Sequence, residues 1–341
     1  MGYRAEKEKM ESTLKRFKLF GFCILSFCIL GLCIFSFFLS PTAWKYYVSL
    51  PDVAKRKAGE LRIHYLDVGQ GDSSLIEFPD GKIMLIDGGD GSGSAVRSVL
   101  RYMNALKIKQ IDHLILTHAD GDHCGGLTEI LKHKKVFNAY LPPTFPENDS
   151  KYGAFYAELF RRDCTLQYSS FMTDFQSGTG AATEDAYLVR CLYPHSGVVD
   201  EVLAGDRKIA DDNELSSVLF IEYNGVKALF MGDAPKATET QLMIDARTGV
   251  FESVGVALQG TQILKLSHHG SSTATQKEFL EFLGVKDGVI SCGKDNPYGH
   301  PSGEALSRLH QVGAKVHRTD LVGHIMITIS ANGEYKTQYI R

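Results

Sequence analysis

The chain has 341 residues, 44% of them hydrophobic, with 37 basic against 40 acidic side chains and 12 histidines. That apolar content can bury the core of one large or two modest domains and excludes a disordered chain. Beyond residue 18 the balance is 31 basic to 37 acidic residues, which argues against a basic clamp that grips nucleic acid by counterion release.

Six basic residues, from Arg4 to Lys18, open the chain, and an uncharged run rich in Phe, Ile, Leu and Cys follows from Leu19 to Trp44. About 20 apolar residues cross a bilayer core, so residues 19–40 are expected to form a transmembrane anchor behind a basic tail of residues 1–18. A cleaved signal peptide is the rival. Its apolar segment would be only about 7–15 residues long and would end in small residues, whereas this run exits through Leu39-Ser40-Pro41-Thr42-Ala43-Trp44. Lys45, Lys55, Arg56 and Lys57 follow the span, four basic residues against six before it. This bias puts the tail in the cytoplasm and the rest of the chain across the membrane. Cys23, Cys28 and Cys33 read as small apolar residues of the span and less often as acylation sites. Cys124, Cys164, Cys191 and Cys292 are spaced too widely for a zinc knuckle or a disulfide scaffold.

After a linker at residues 41–60, residues 61–341 are expected to form one domain. Leu61–Leu66 alternates as a strand and stops at Val68-Gly69-Gln70-Gly71-Asp72; Ser74–Phe78 and Lys82–Ile86 complete a meander through the turn Pro79-Asp80-Gly81. Val96, Val99, Leu100, Met103 and Leu106 have helical spacing, and Ile111–Leu116 reads as a buried strand. Residues 141–186, with Pro142, Pro143, Pro146 and Gly178-Thr-Gly180, are the least regular stretch and read as an insertion flanking the site. A hairpin is expected at Ser217–Tyr223 and Val226–Met231 around Asn224-Gly225, then a helix near 235–246 and a strand at Gln262–Leu266. Two β-rich halves, each followed by helices, imply an α+β fold of two packed mixed sheets with helices outside.

The densest chemistry is Thr117-His118-Ala119-Asp120-Gly121-Asp122-His123, directly after the strand at 111–116. A strand end followed by a Gly-containing loop can turn these side chains inward, so that His118 and Asp120 address one ion while Asp122 and His123 address a neighbour. The bland alternative is a polar surface loop. Asp233 ends the apolar strand Ala228–Met231 after Gly232 and can bridge two cations, although alone it reads as a strand-end or cap aspartate. Lys265-Leu266-Ser267-His268-His269-Gly270-Ser271 again places histidines past an apolar strand, and three such strand ends suggest one converging site. Asp72 and Ser73 could line it. Gly69-Gln70-Gly71 lacks the Lys-Ser/Thr of a phosphate loop, and Lys132, Lys134 and Lys135 read as a solvated helix end.

These residues resemble the metallo-β-lactamase superfamily. Asp120 in place of a second His, Asp67-Val-Gly-Gln-Gly-Asp72, Gly232-Asp233, His268-His269-Gly270-Ser271 and Tyr298-Gly299-His300-Pro301 make the resemblance closer to the hydrolase domain of ComEC-type DNA-uptake proteins, in order over residues 61–330. The resemblance implies a four-layer αββα sandwich and two divalent ions at His118, Asp120, Asp122, His123, Asp233 and one of His268 and His269. The superfamily usually has another ligand His before the bridging Asp. Here that region reads Asp212-Asn213-Glu214-Leu215-Ser216, so Asn213 or the more distant His195 could fill the gap. Carboxylates suit manganese or magnesium and imidazoles suit zinc, so zinc, manganese or both are expected.

The implied activity is hydrolysis by water shared between two cations, with Asp122 and His300 as catalytic candidates, His300 stabilising the transition state or protonating the leaving group. Extracytoplasmic DNA is the first expected substrate. Transport is not expected, because the large permease region of such proteins has no counterpart among these 341 residues with one apolar span; a separate uptake channel could act beside the enzyme. The rivals are a phosphodiesterase of cell-surface phosphocholine or teichoic acid and a non-catalytic, membrane-tethered binding module. β-Lactam hydrolysis fits less well, because Asp120 replaces an imidazole.

Overall fold

One long helix, α1 (Gly2–Phe38), takes in both the basic tail and the apolar run. The tail is built of Glu, Lys, Ala, Met and Leu, strong helix formers, so nothing in it stops the helix at Lys18. The window Lys9–Phe35, 27 residues with a mean hydropathy of 2.3, is long and apolar enough to cross a membrane. This computed structural model describes residues 2–38, 41–145, 150–173, 175 and 186–341. They form two units, one ending at Ser49 and one running from Leu50 to Arg341.

The second unit begins with the expected meander, β1 (Leu61–Tyr65), β2 (Ser74–Glu77) and β3 (Ile83–Ile86), paired antiparallel. Helix α2 (Gly93–Ala105) starts where the Ser92 side chain accepts the Ala95 N–H, three residues before the first position of the apolar pattern, Val96. It leads into β4 (Gln110–Ile115), parallel to β3. The short α3 (Gly121–Cys124) and α4 (Leu127–His133) connect to β5 (Lys135–Leu141). The stretch expected to be irregular then contains α5 (Lys151–Leu159) and an edge strand, β6 (Thr165–Tyr168), parallel to β5. The apolar positions of α5 were hidden by the prolines before it; Pro146 and Gly178-Thr-Gly180 lie outside the described residues.

The second half runs β7 (Tyr187–Tyr193), α6 (Ser196–Ala204), β8 (Val218–Tyr223), β9 (Val226–Phe230), α7 (Lys236–Arg247), β10 (Ile263–Lys265), α8 (Lys277–Leu283), β11 (Asp287–Ile290), α9 (Gly303–Gln311) and β12 (Lys315–Arg318). The chain then returns through α10 (Thr319–Val322) to β13 (His324–Ile329) and β14 (Tyr335–Ile340), which join the first sheet beside β1. The first sheet has the order β14-β13-β1-β2-β3-β4-β5-β6 and the second β12-β11-β10-β9-β8-β7.

Strand alternation explains why the two sheets stack. Leu61, Ile63 and Tyr65 of β1 share one buried cluster with Leu219, Ile221 and Tyr223 of β8 and with Ala228 and Phe230 of β9. Tyr65 and Phe230 stack at 5.7 Å across this interface, an aromatic pair worth about 0.5–1.5 kcal/mol beyond the area it buries. The opposite faces of the second sheet, Phe220, Leu229, Leu264 and Ile290, pack with Leu242 of α7, Leu280 and Leu283 of α8 and Leu309 of α9. On the outer face of the first sheet, His64 of β1 meets Tyr102 of α2. Helices therefore flank both sheets, giving the four layers of the metallo-β-lactamase fold. Strands β3, β4 and β5 run parallel in one sheet and β9, β10 and β11 in the other. Loops leaving their C-terminal ends carry the candidate site, the usual place for a ligand crevice in such sheets.

Candidate metal centre

The loop after β4 is fixed from behind by Asp87 at the end of β3. Its Oδ1 accepts the Thr117 N–H (2.8 Å), and its Oδ2 accepts the Thr117 hydroxyl (2.8 Å) and faces His123 Nδ1 at 2.8 Å. Because the Thr117 hydroxyl proton is spent on Asp87, its lone pair takes the proton of His118 Nδ1 at 3.0 Å. His269 Nδ1 lies 2.9 Å from the Ser291 carbonyl, which can only accept. All three rings thus donate from Nδ1, which leaves Nε2 as the atom that would take a metal ion once any proton on it is lost.

What those nitrogens face is anionic. Asp233, at the end of β9, sets Oδ1 3.3 Å from His123 Nε2 and Oδ2 3.5 Å from His269 Nε2. His269 Nε2 is also 3.2 Å from Asp122 Oδ2, and His118 Nε2 is 3.6 Å from Asp120 Oδ2. The Nε2 atoms of His118, His123 and His269, Asp72 Oδ1 and Asp233 Oδ1 are buried without a hydrogen bond. Donor atoms of Asp72, His123, Asp233 and His269 lie within 4.8 Å of one another. Buried polar atoms left unbonded at this density are costly, at about 1–3 kcal/mol each, unless a cation takes them. The donor set fits divalent metal ions, with imidazole nitrogens for a borderline ion and carboxylate oxygens for a harder one.

Backbone geometry makes the convergence possible. Gly71, at φ +117°, packs so closely that a Cβ there would overlap the Asp122 carbonyl oxygen, and the next N–H, of Asp72, donates to that oxygen at 3.2 Å. Gly232, at φ +52°, turns the chain so that the Asp233 N–H reaches Ser216 Oγ at 3.1 Å. His268 and His269 both occupy the left-handed region, at φ 48° and 52°, which costs about 1–3 kcal/mol each. Bonds from His268 N–H to the Gly232 carbonyl (3.1 Å) and from Ser267 Oγ to the Ala234 carbonyl (2.5 Å) offset that strain.

The strained turn separates the two histidines that the sequence left equivalent. His269 is buried against Asp122 and Asp233, whereas His268 is about one-third exposed with its Nε2 3.8 Å from Asp233 Oδ2. The His300 ring lies 5.6 Å from that of His268, next to Tyr298 at 6.0 Å, and its Nδ1 is buried without a partner. His195 is not drawn in: it pairs with Asp245 at 2.9 Å and, with Asn213, lines a neighbouring cavity.

Two features were not read from the sequence. Asp87 carries no signal of its own beyond its place after a strand, although Ile86-Asp87-Gly88 presents a strand-end aspartate beside a glycine, as Gly232-Asp233 does. Asp72 is more than a lining residue, for its Oδ2 forms an ion pair with the buried Lys265 ammonium at 2.6 Å. That pairing leaves Asp72 as a counter-charge behind His269 and a weaker candidate ligand than Asp233.

Charge follows the geometry. Burial alone would lower the His269 pKa, but Asp233, Asp72 and Asp122 lift it to about 10. Burial likewise opposes charging His123, and Asp233 and Asp87 override it. Burial would raise the Asp122 carboxyl, yet His269 and His123 hold it down at about 2. Burial, then the charges of His268 and His269, lower the His300 pKa.

Residues 66–294 match the Metallo-beta-lactamase superfamily. The chain belongs to this superfamily. Two curated relatives are ComE operon protein 3 of Bacillus subtilis (strain 168), 30% identical over 79% of this chain and 33% of that protein, and Competence protein ComA of Neisseria gonorrhoeae, 27% identical over 83% and 34%. The expected resemblance to ComEC-type competence proteins is borne out by these relatives, of whose length the chain spans about a third. Among solved structures, the metallo-beta-lactamase fold protein YhfI from Bacillus subtilis is 10% identical, with a TM-score of 0.43 over 82% of this chain and 100% of that one. Asp87, His123, Asp233 and Asp122 all lie inside the stretch matched to the superfamily.

Two outcomes are expected. At neutral pH the raised pKa values keep His123 and His269 protonated before metal loading, so loading must expel about one to two protons and must strengthen as pH rises. Calorimetry in buffers of different ionisation heat measures this; loading without proton release would contradict the assigned charge state. Asp87→Asn preserves shape and tolerates the residue's φ of 59°, but it weakens the grip on His123, so metal affinity should fall about 10–100-fold in a competition titration.

Proposed function

We propose that the chain is a membrane-anchored, metal-dependent phosphodiesterase that cuts extracytoplasmic DNA. The observation that carries the reading is the arrangement of His123 and His269, whose unbonded Nε2 atoms face opposite oxygens of the buried Asp233. His118, Asp120, Asp122, His123, Asp233 and His269 would hold two divalent ions, with Asp233 shared between them and His268 at the rim. The ions would supply Lewis acidity toward the phosphate and toward water. Asp87, Thr117 and Ser291 hold the imidazoles in the ligating tautomer, and the cluster's carboxylates exclude a bare anion until cations balance them. His300, with its pKa lowered, is a stronger acid once protonated and is assigned to the leaving oxygen.

The DNA assignment draws on the competence relatives. In this reading residues 1–18 are a cytoplasmic tail, 19–40 the anchor, 41–60 a linker and 61–341 a domain on the far side of the membrane, beside a separate uptake channel. The surplus of acidic residues beyond residue 18 favours a second reading, in which the substrate is a cell-surface phosphodiester such as phosphocholine or teichoic acid. Metal analysis coupled to a panel of oligonucleotides and choline esters decides between the two, and an enzyme that loads metal yet hydrolyses neither would remove both.

Asp233→Asn keeps the shape but removes one charge facing both sets of imidazoles. Turnover of bis-nitrophenyl phosphate should fall at least about 10²-fold, roughly 2.7 kcal/mol of transition-state stabilisation. Excess manganese should rescue Asp120→Asn better than Asp233→Asn, and equal rescue would place the shared carboxylate elsewhere. Reporter fusions at the C-terminus should be active only when the reporter requires the extracytoplasmic side, and a mature N-terminus near residue 44 would contradict the anchor.

A further inference from the structure

Beside the candidate ligands lies a cavity of about 640 Å³, within the size range of small-molecule sites. Its wall is continuous with the loops that carry the metal candidates. Pro235 lines it two residues after Asp233, and Asn213 lines it from the turn whose Ser216 Oγ receives the Asp233 N–H. The Ser217 N–H in turn donates to the Thr117 carbonyl at 2.9 Å. Whatever fills this cavity therefore lies against two segments, at Asn213 and Pro235, that lead directly to Asp233.

The lining is built and incompletely satisfied. Asp245 holds two of the wall residues in place, His195 through Nε2 at 2.9 Å and Gln241 through Nε2 at 2.8 Å. The Tyr193 and His195 rings meet edge-on at 6.0 Å. Asn213 is nine-tenths buried, and its Oδ1 has no hydrogen-bond partner. The Arg207 guanidinium, with the Asp211 and Glu214 carboxylates, completes the charged part of the wall. An unpaired acceptor beside two carboxylates calls for a hydrogen-bond donor, flat rings call for a planar apolar face, and the Arg207 guanidinium, held only by an exposed pairing with Glu201 at 3.6 Å, can still take an anion. A nucleotide combines all three, provided that its base carries an exocyclic amino group.

We propose that this cavity takes the nucleotide adjacent to the phosphodiester being cut, with its base amino group on Asn213 and its own phosphate toward Arg207. The inference rests on the phosphodiesterase reading above and makes it specific: strands with cytosine or adenine at this position are preferred to strands with thymine, which has no amino group.

The test is fluorescence anisotropy of the metal-loaded full chain in detergent with labelled ten-nucleotide oligo-dC and oligo-dT, phosphorothioate-linked so that turnover is suppressed. Oligo-dC should bind at least about fivefold more tightly than oligo-dT, and dCMP should compete with it while phosphocholine does not. Ala237→Trp, at an exposed position on the cavity wall, should remove the preference; with ordinary phosphodiester linkages, it should depress oligonucleotide hydrolysis at least about tenfold more than hydrolysis of bis-nitrophenyl phosphate. Should that variant misfold, Arg207→Ala should weaken both oligonucleotides and reduce the salt dependence of binding. Equal binding of the two oligonucleotides, a preference that survives Ala237→Trp, or competition by phosphocholine would overturn the proposal. Failure of the phosphodiesterase reading looks different: a metal-loaded enzyme inert on every ester, with the binding preference intact.

Discussion

The Asp87 carboxylate does not itself face the open site, yet the chemistry of the centre depends on it. It receives the Thr117 N–H, the Thr117 hydroxyl and His123 Nδ1. By taking the hydroxyl proton it decides what Thr117 can offer His118, so one carboxylate sets the tautomer of two imidazoles at once. Hydrogen bonds to a charged acceptor are about twice as strong as neutral ones, and a buried network of this kind leaves little freedom to reorient. If Asp87 were a neutral donor, the Thr117 hydroxyl could turn toward His118 and the pattern of lone pairs would collapse.

The fold supplies the other condition, which is close approach. His123 comes from the first sheet while Asp233 and His269 come from the second, and the buried stack of Tyr65 on Phe230 is part of the layer holding the two sheets together. The loops around the centre could not approach this closely if every residue carried a Cβ. Gly71 is where the Asp72 loop presses against the Asp122 carbonyl, and Gly232 packs against Thr117 and Ser216 so tightly that a Cβ there would push them aside by a few tenths of an ångström. The strain at His268 and His269 belongs to the same compromise: a relaxed turn would not send His269 inward between Asp122 and Asp233.

Much of this was legible in the sequence, because local patterns encode local events. A buried strand running straight into His118–His123 could be read from hydrophobicity and ligand density, as could the later strand ends at Asp233 and His269. What could not be read depends on contacts distant in the chain. Asp87-Gly88-Gly89 looks like a turn until Thr117 and His123 are seen folded onto it. Lys265 looks like an ordinary strand residue until Asp72, nearly two hundred residues earlier, is found against its ammonium. The choice between His268 and His269 hinged on two left-handed residues in succession, which hydropathy does not signal. Strand β13, itself paired with β14, returns from the far end of the chain to pair with β1, and no periodicity within 60 residues announces such a partner.

The electrostatics link the site to its surroundings. Carboxylates outnumber what the imidazoles can neutralise, so before metal loading the cluster retains protons on His123 and His269. The buried Lys265 ammonium opposes this surplus, and it is spent on Asp72, behind the centre. An anionic ester therefore meets a repulsive opening until dications enter, which makes metal occupancy a condition for substrate approach as well as for chemistry. The same logic applies to the wall of the neighbouring cavity. Asp211 and Glu214 would repel a phosphate there, and Arg207 opposes them from the same wall. A substrate that projects its phosphate toward the centre and its amino-bearing ring toward the carboxylates satisfies both regions, whereas a small inorganic anion satisfies neither.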